Sequence, residues 1–263
     1  MNHSDFVQRY LKGVGTEIGA FTSPVPGIQP IYVDKFVEFA GERCLGDYFG
    51  DAVDLPFVDR SLDYVVASHV LEHCANPIKA LGEWFRVLKP GGIAYVVVPD
   101  KRYTWDRNRN ETPLSHMIDD FESGVTDCDD THIDDFIYGV EWSEIQPDCK
   151  ASETESQRKA HSEHYKERVA KGEEINIHFH VFSPQNFRAL ATEASSAHRI
   201  PYRWEIEILE ERFPEDCPHG ILAVLRKKEN RQPFHRIRHF MNKQTNARYP
   251  LRKNAKAFPP ATQ

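Results

Sequence analysis

Two stretches of the chain are apolar without alternation, Asp63–Ser68 (Asp-Tyr-Val-Val-Ala-Ser) and Ile93–Val98 (Ile-Ala-Tyr-Val-Val-Val). Valine-rich runs with no polar face suit strands covered on both sides, as in a parallel sheet between helical layers. Between them Ile78, Leu81, Phe85 and Leu88 recur at helical spacing, behind Asn76 as N-cap and Pro77 at the first helical position. Pro90-Gly91-Gly92 is expected to stop this helix and turn the chain into the next strand. The result is a strand–helix–strand unit, whose crossover should be right-handed. Upstream, Val14–Gly19 and Ile31–Val33 read as short strands. The segment between them holds Pro24, Pro26, Gly27 and Pro30, too much proline for a long helix. Downstream, Ser183-Pro184 opens a helix to about Ala194. Trp204–Leu209 alternates Ile206 and Ile208 with Glu205 and Glu207, a strand with one wet face, and Gly220–Leu225 is a last apolar strand. The pattern is α/β, a doubly wound sheet.

One region breaks the pattern. Residues 100–176 are polar and acidic, with Asp119, Asp120, Asp127, Asp129, Asp130, Asp134 and Asp135 close together and no long strand. This is read as an insertion of loops and short helices, too long for an ordinary connection. With 263 residues, one domain carrying an insertion accounts for the length. Charge marks a second boundary. Residues 226–263 hold eleven Lys or Arg and one acid (Glu229), a net of +10; the other 22 basic and 39 acidic residues leave residues 1–225 at −17. So negative a body is a poor binder of nucleic acid. The basic tail could meet an anionic surface or fold back on the acidic body. Phe234, Ile237, Phe240 and Met241 form one helical stripe in it, and docking on the body or a partner ranks above membrane contact. Five cysteines without a CxxC motif, no signal-peptide pattern and no apolar run near 20 residues point to the cytoplasm.

In a doubly wound sheet, ligands sit beyond the carboxyl ends of the strands. The residues there are Glu17-Ile18-Gly19-Ala20 after the first strand, Asp34 after the second, and Ser68-His69 after the run beginning at Asp63. Asp51-Ala52, Leu55-Pro56-Phe57, Ser61–Val66, Val70-Leu71-Glu72-His73 and Arg86–Gly92 complete an ordered series. Order and spacing together resemble the class I S-adenosylmethionine-dependent methyltransferases, closest to the small-molecule branch of ubiquinone-type and sugar-type enzymes. The resemblance covers roughly Val14–Pro99 and, loosely, the final helix and two strands. It implies a Rossmann-like, mostly parallel seven-stranded sheet with helices on both faces and the last strand antiparallel. Residues 1–225 would then be the methyltransferase domain, residues 100–180 an acceptor-side cap and residues 226–263 the tail. The implied cofactor is S-adenosyl-L-methionine. The roles implied for its contacts are close backbone approach at Gly19 and Ala20, the ammonium at Glu17, the ribose hydroxyls at Asp34, the adenine at Asp51 and Ala52, and the sulfonium end at Ser68 and His69. The sequence departs from the family in lacking glycines near Phe21 and Ser23, and it looks like a subset with a proline-rich loop in place of the first crossover helix.

Methyl transfer needs the acceptor held in line and, for a hydroxyl or ammonium, a base. Asp100, just after the fifth strand, His132 in the insertion and His180 are the candidate catalytic residues, with Tyr103 next in line. His178 and His180 would point the same way in a strand and could bind metal with the insertion's aspartates. No exact ligand spacing supports that, so no metal is expected. Glu72 and His73 read as structural. The expected partner is a small-molecule or sugar-containing acceptor methylated on O or N, without nucleic acid. The alternatives are a protein or nucleic-acid methyltransferase docked by the tail, and a non-catalytic cofactor-binding protein.

Overall fold

The computed structural model describes residues 3–194, 202–213, 217–228 and 251–259. Its strands are β1 (Gly15–Ile18), β2 (Ile31–Asp34), β3 (Glu38–Phe39), β4 (Glu42–Arg43), β5 (Tyr48–Phe49), β6 (Leu62–Ser68), β7 (Leu88–Pro99), β8 (Trp204–Phe213) and β9 (Cys217–Lys227). Its helices are α1 (His3–Tyr10), α2 (Pro77–Val87), α3 (Leu114–Ser123), α4 (Ile133–Gly139), α5 (Trp142–Ile145), α6 (Thr154–Ala170) and α7 (Pro184–Thr192). Seven strands make one sheet in the order β5-β2-β1-β6-β7-β9-β8, and β3 and β4 form a separate hairpin. Pairing is parallel from β5 to β7, and β9 runs antiparallel to both its neighbours. The switch point lies between β1 and β6, with successive connections running outward to either side, so the two strand ends open a crevice there.

The apolar runs behave as their composition dictates. Val65, Val66 and Ala67 of β6 and Val96, Val97 and Val98 of β7 are buried. One face packs under α2, α3 and α7, with Trp84, Leu81, Phe182 and Phe187 at its centre. The other face packs against Phe6 and Val7 of α1 and Leu11 just after it, together with Val25, Tyr64 and Tyr95. Asn76 caps α2 by accepting from the Lys79 amide, as its sequence position predicts. The helix ends earlier than expected. It stops at Val87, and Pro90-Gly91-Gly92 lies within β7 as an irregularity between the Leu62–Leu88 and Tyr64–Ile93 pairs.

Residues 21–30 contain no helix, so a loop carries the first crossover. The insertion is more helical than its sequence suggests, because α6 runs for 17 residues with only Ser162 buried. A third apolar cluster, built on Ile133, Ile137, Trp142, Ile177 and Phe179, gives the insertion its own core. Part of the basic tail packs on the body. The Phe49 amide donates to Lys256 and the Phe258 amide to Asp47, so residues 251–259 run antiparallel beside the edge strand β5. Phe258 is buried against Phe49, and Arg252 pairs with Asp54 and Glu83. The apolar stripe of the tail lies outside the described residues.

Candidate active site

A cavity of about 190 Å³ opens beyond the carboxyl ends of β1, β2 and β6. Gly19, Asp34, Asp51, Ala52 and His69 line it. Gly19 has φ +62°, and a Cβ there would stand 2.9 Å from Val70, so only glycine keeps this turn and the approach to the backbone open. Asp34 is buried. Its Oδ1 accepts from the Phe36 amide at 2.9 Å, and burial raises its pKa despite that bond and nearby Lys35. Asp51 accepts from the Val53 amide and stands 3.5 Å from Lys35. Lys35 also meets Asp127 at 2.5 Å and Glu174 at 3.4 Å. Burial opposes its charge, but the three carboxylates outweigh burial and its pKa is raised. Three aromatic rings line one side: Phe36 stacks on Phe39 with centroids 5.7 Å apart, and Phe21 meets Phe39 edge-on at 5.9 Å.

A second, larger cavity of about 650 Å³ adjoins the first, and Phe39, His69, His73 and Asn176 line both. Its walls are largely the insertion: Tyr103, Trp105, Phe136, Trp142, Tyr165 and His178. Two histidine–carboxylate pairs face it. His69 Nδ1 lies 3.2 Å from Glu72 Oε1. His69 itself has φ +54°, unusual for a side chain with a Cβ, and its amide donates to Val97. Glu72 is fully buried, which pushes its pKa up, but contacts with His69, His73 and His178 prevail and lower it. In the second pair His178 Nδ1 donates to Asp106 at 2.6 Å, and Asp106 also takes Arg109 at 2.7 Å. Burial works against the Asp106 charge and these two partners more than restore it, so its pKa falls. His73 is held neutral, burial driving its pKa down to about 4.

Several expected residues lie elsewhere. Glu17 points away from both cavities. Its Oε1 accepts from Val25 at 2.8 Å and pins the proline-rich loop, and burial raises its pKa to about 7. Ala20 and Ser68 line neither cavity. Asp100 stands at the anticipated topological position, but both carboxylate oxygens bind Arg102, at 2.6–3.1 Å. His132 and His180 are buried beside Asp120 and His116, outside both cavities. His178 and His180 do not sit in a strand, and they serve different clusters. Glu72 and His73, read as structural from sequence, border the acceptor-side space. Lys35, Phe36, Phe39, Asp127 and Asn176 were not anticipated as lining residues. Lys35 and Phe36 directly follow Asp34 and were within reach of the sequence argument, whereas nothing local separates Asp127 from its six acidic companions.

Residues 30–96 match the model of a methyltransferase domain family. A probable S-adenosylmethionine-dependent methyltransferase of Mycolicibacterium smegmatis is 41% identical over 66 residues, 25% of each chain. Over residues 30–96 the chain is a methyltransferase domain by sequence. A demethylmenaquinone methyltransferase of Staphylococcus carnosus is 51% identical to it over 45 residues, 17% of this chain and 19% of that one. A solved SAM-dependent methyltransferase of Thermotoga maritima aligns over 87% of this chain and 88% of its own, at 18% identity and a TM-score of 0.43. The chain spans about a third or less of the length of the curated relatives it matches. Methyltransferase domains of this class take S-adenosylmethionine as methyl donor. The smaller cavity fits that molecule chemically: an open glycine turn, a buried carboxylate at the end of β2 for hydroxyl groups, and apolar and aromatic walls for a flat base. Among the described residues no helix is long and apolar enough to cross a membrane.

Proposed function

We propose that this chain methylates an oxygen or nitrogen of a small molecule held in the cavity walled by the insertion. The observation that carries the reading is His69, which borders both cavities and keeps its Nδ1 3.2 Å from the buried Glu72. S-Adenosylmethionine, when bound, supplies an activated methyl group. The protein must then bind the acceptor, exclude water and remove one proton. Glu72 engages Nδ1, which makes Nε2 the nitrogen that takes the acceptor proton. The carboxylate orients the ring and favours its charged form once the proton has moved. Gly19, Asp34, Asp51 and Ala52 hold the donor, with Lys35 balancing the carboxylates around it.

Support for a small acceptor comes from the second cavity's aromatic lining and from the −17 body, which disfavours nucleic acid. The name of the demethylmenaquinone methyltransferase points the same way. The test is a screen of hydroxyl- and amine-bearing small molecules for release of S-adenosylhomocysteine, followed by the best acceptor with His69→Gln. Turnover should fall by about 10²-fold or more with cofactor affinity retained. Normal turnover in this variant would move the base elsewhere, with Tyr103 and His178 the next groups on that wall to replace.

A further inference from the structure

The second histidine–carboxylate cluster belongs to no part of the reading above. His116 and Asp120 lie four residues apart on α3, so they share a face. His132 precedes α4, and His180 comes from the segment before α7. One ligand atom from each of the four lies within 4.8 Å of all the others. His116 Nε2 and His132 Nε2 are 3.0 Å apart, and they stand 3.3 and 3.4 Å from Asp120 Oδ2. His180 Nε2 is 3.7 Å from the same oxygen. A tetrahedral ion with bonds near 2.0–2.1 Å holds its ligand atoms about 3.3 Å apart, the middle of this range.

We propose that His116, Asp120, His132 and His180 bind a zinc-type divalent cation that clamps the insertion together. Two independent features point to a ligand rather than to a closed hydrogen-bond network. Asp120 is buried, and its Oδ2 has no hydrogen-bond partner although three imidazole nitrogens approach within 3.7 Å. The rings therefore crowd this oxygen without aiming an N–H at it. The other feature is the outer support. Thr131 Oγ1 donates to Asp129 and so can accept from His132 Nδ1–H, 3.0 Å away, which leaves the lone pair on Nε2. His180 contributes a buried Nδ1 without a partner, while its Nε2 is 3.1 Å from the Ala75 carbonyl. Loading therefore exchanges that backbone bond for a metal bond or turns the ring. His116 is half exposed and supplies the entry path.

Four protein ligands and no contact with either cavity make this a structural site, not a Lewis acid for the reaction. It would tie α3, the start of α4 and the segment entering α7 into one unit. The inference is independent of the methyl-transfer reading. The test uses the full chain, purified without chelator or affinity-metal columns, with metal counted by mass spectrometry. Apo protein is then titrated with Zn²⁺ while the melting temperature is followed, and with Co²⁺ for the absorption of a tetrahedral nitrogen–oxygen site. About one equivalent, a zinc-dependent rise in melting temperature and loss of both in His116→Ala are expected. His116 is exposed enough for that variant to fold, and Asp120→Asn in the same assay guards against a defect peculiar to it. No shift and no tetrahedral spectrum with the wild-type chain would overturn the proposal. So would stoichiometric metal retained in both variants, which would put the ion elsewhere. S-Adenosylhomocysteine affinity, measured alongside, should not change with metal.

Discussion

Two histidine–carboxylate clusters sit on either side of one short segment, with His178 feeding one and His180 the other. The first joins Glu72, His73 and His178 and, through Glu72, His69; it borders the acceptor-side cavity. The second joins buried Asp120, His132 and His180 with His116 at the insertion's surface. Residue types are the same and the surroundings opposite. In the first, each carboxylate faces a histidine at the cavity wall, Asp106 hydrogen-bonded to His178 at 2.6 Å and Glu72 3.2 Å from His69, as at a site arranged to move a proton. In the second, three imidazoles converge within 3.3–3.7 Å on one carboxylate oxygen, Asp120 Oδ2, away from either cavity. Histidine beside a carboxylate thus predicts function only once the cavity it borders, or does not border, is known.

Variants of the two clusters should separate by what they disturb. The largest effect is expected from His69→Gln, about 10²-fold or more in turnover, with the melting temperature close to wild type. His180→Gln should do the reverse, lowering the melting temperature while turnover per folded molecule is retained; equal loss of turnover in both would erase the distinction. Glu17→Gln sharpens the comparison with a buried carboxylate that has no histidine. Its folded pKa, about 7, exceeds the unfolded value near 4.5. The raised pKa means that the folded chain binds the proton more tightly. The penalty for Glu17 therefore grows as pH rises through that window and is complete above it. Glutamine, which keeps the acceptor for Val25, should raise stability by about 1–3 kcal/mol at pH 8. The gain should vanish below pH 4.5 in thermal melts taken across the range. A smaller effect is expected from Ser183→Ala. Ser183 forms a capping box with Asn186 at the start of α7, next to the segment that carries both histidines. Its loss should lower stability by about 1 kcal/mol in denaturant titrations, without favouring either cluster.

What could be read beforehand follows from where the information lies. The sheet core was legible because Val65–Ala67 and Val96–Val98 have no polar face, and α2 because Asn76-Pro77 is a local signal. Helix α1 was not, since Phe6, Val7 and Leu11 are few and matter only against Tyr64 and Tyr95 far along the chain. Helix α6 has no apolar stripe to detect. Gly19, Asp34 and His69 could be placed at the first cavity because strand order brings strand ends together, and Asp51 and Ala52 through the family resemblance. Asp100 could be placed by the same rule, but its use could not, because an ion pair to Arg102 two residues away removes it from the site. His178 and His180 diverge because their segment is not a strand, and Ile177 and Phe179 beside them pack with Ile133, Phe136 and Ile137 of α4.

The account rests on the first cavity being a methyl-donor site joined to the second through His69. Calorimetry with S-adenosylhomocysteine on the wild-type chain and on Asp34→Ala tests this without knowledge of the acceptor. One binding site per chain is predicted, with affinity reduced about tenfold or more in the variant as charge-assisted hydrogen bonds worth about 1.5–3 kcal/mol are lost. No binding to the wild-type chain, or equal affinity in a correctly folded Asp34→Ala, would contradict it.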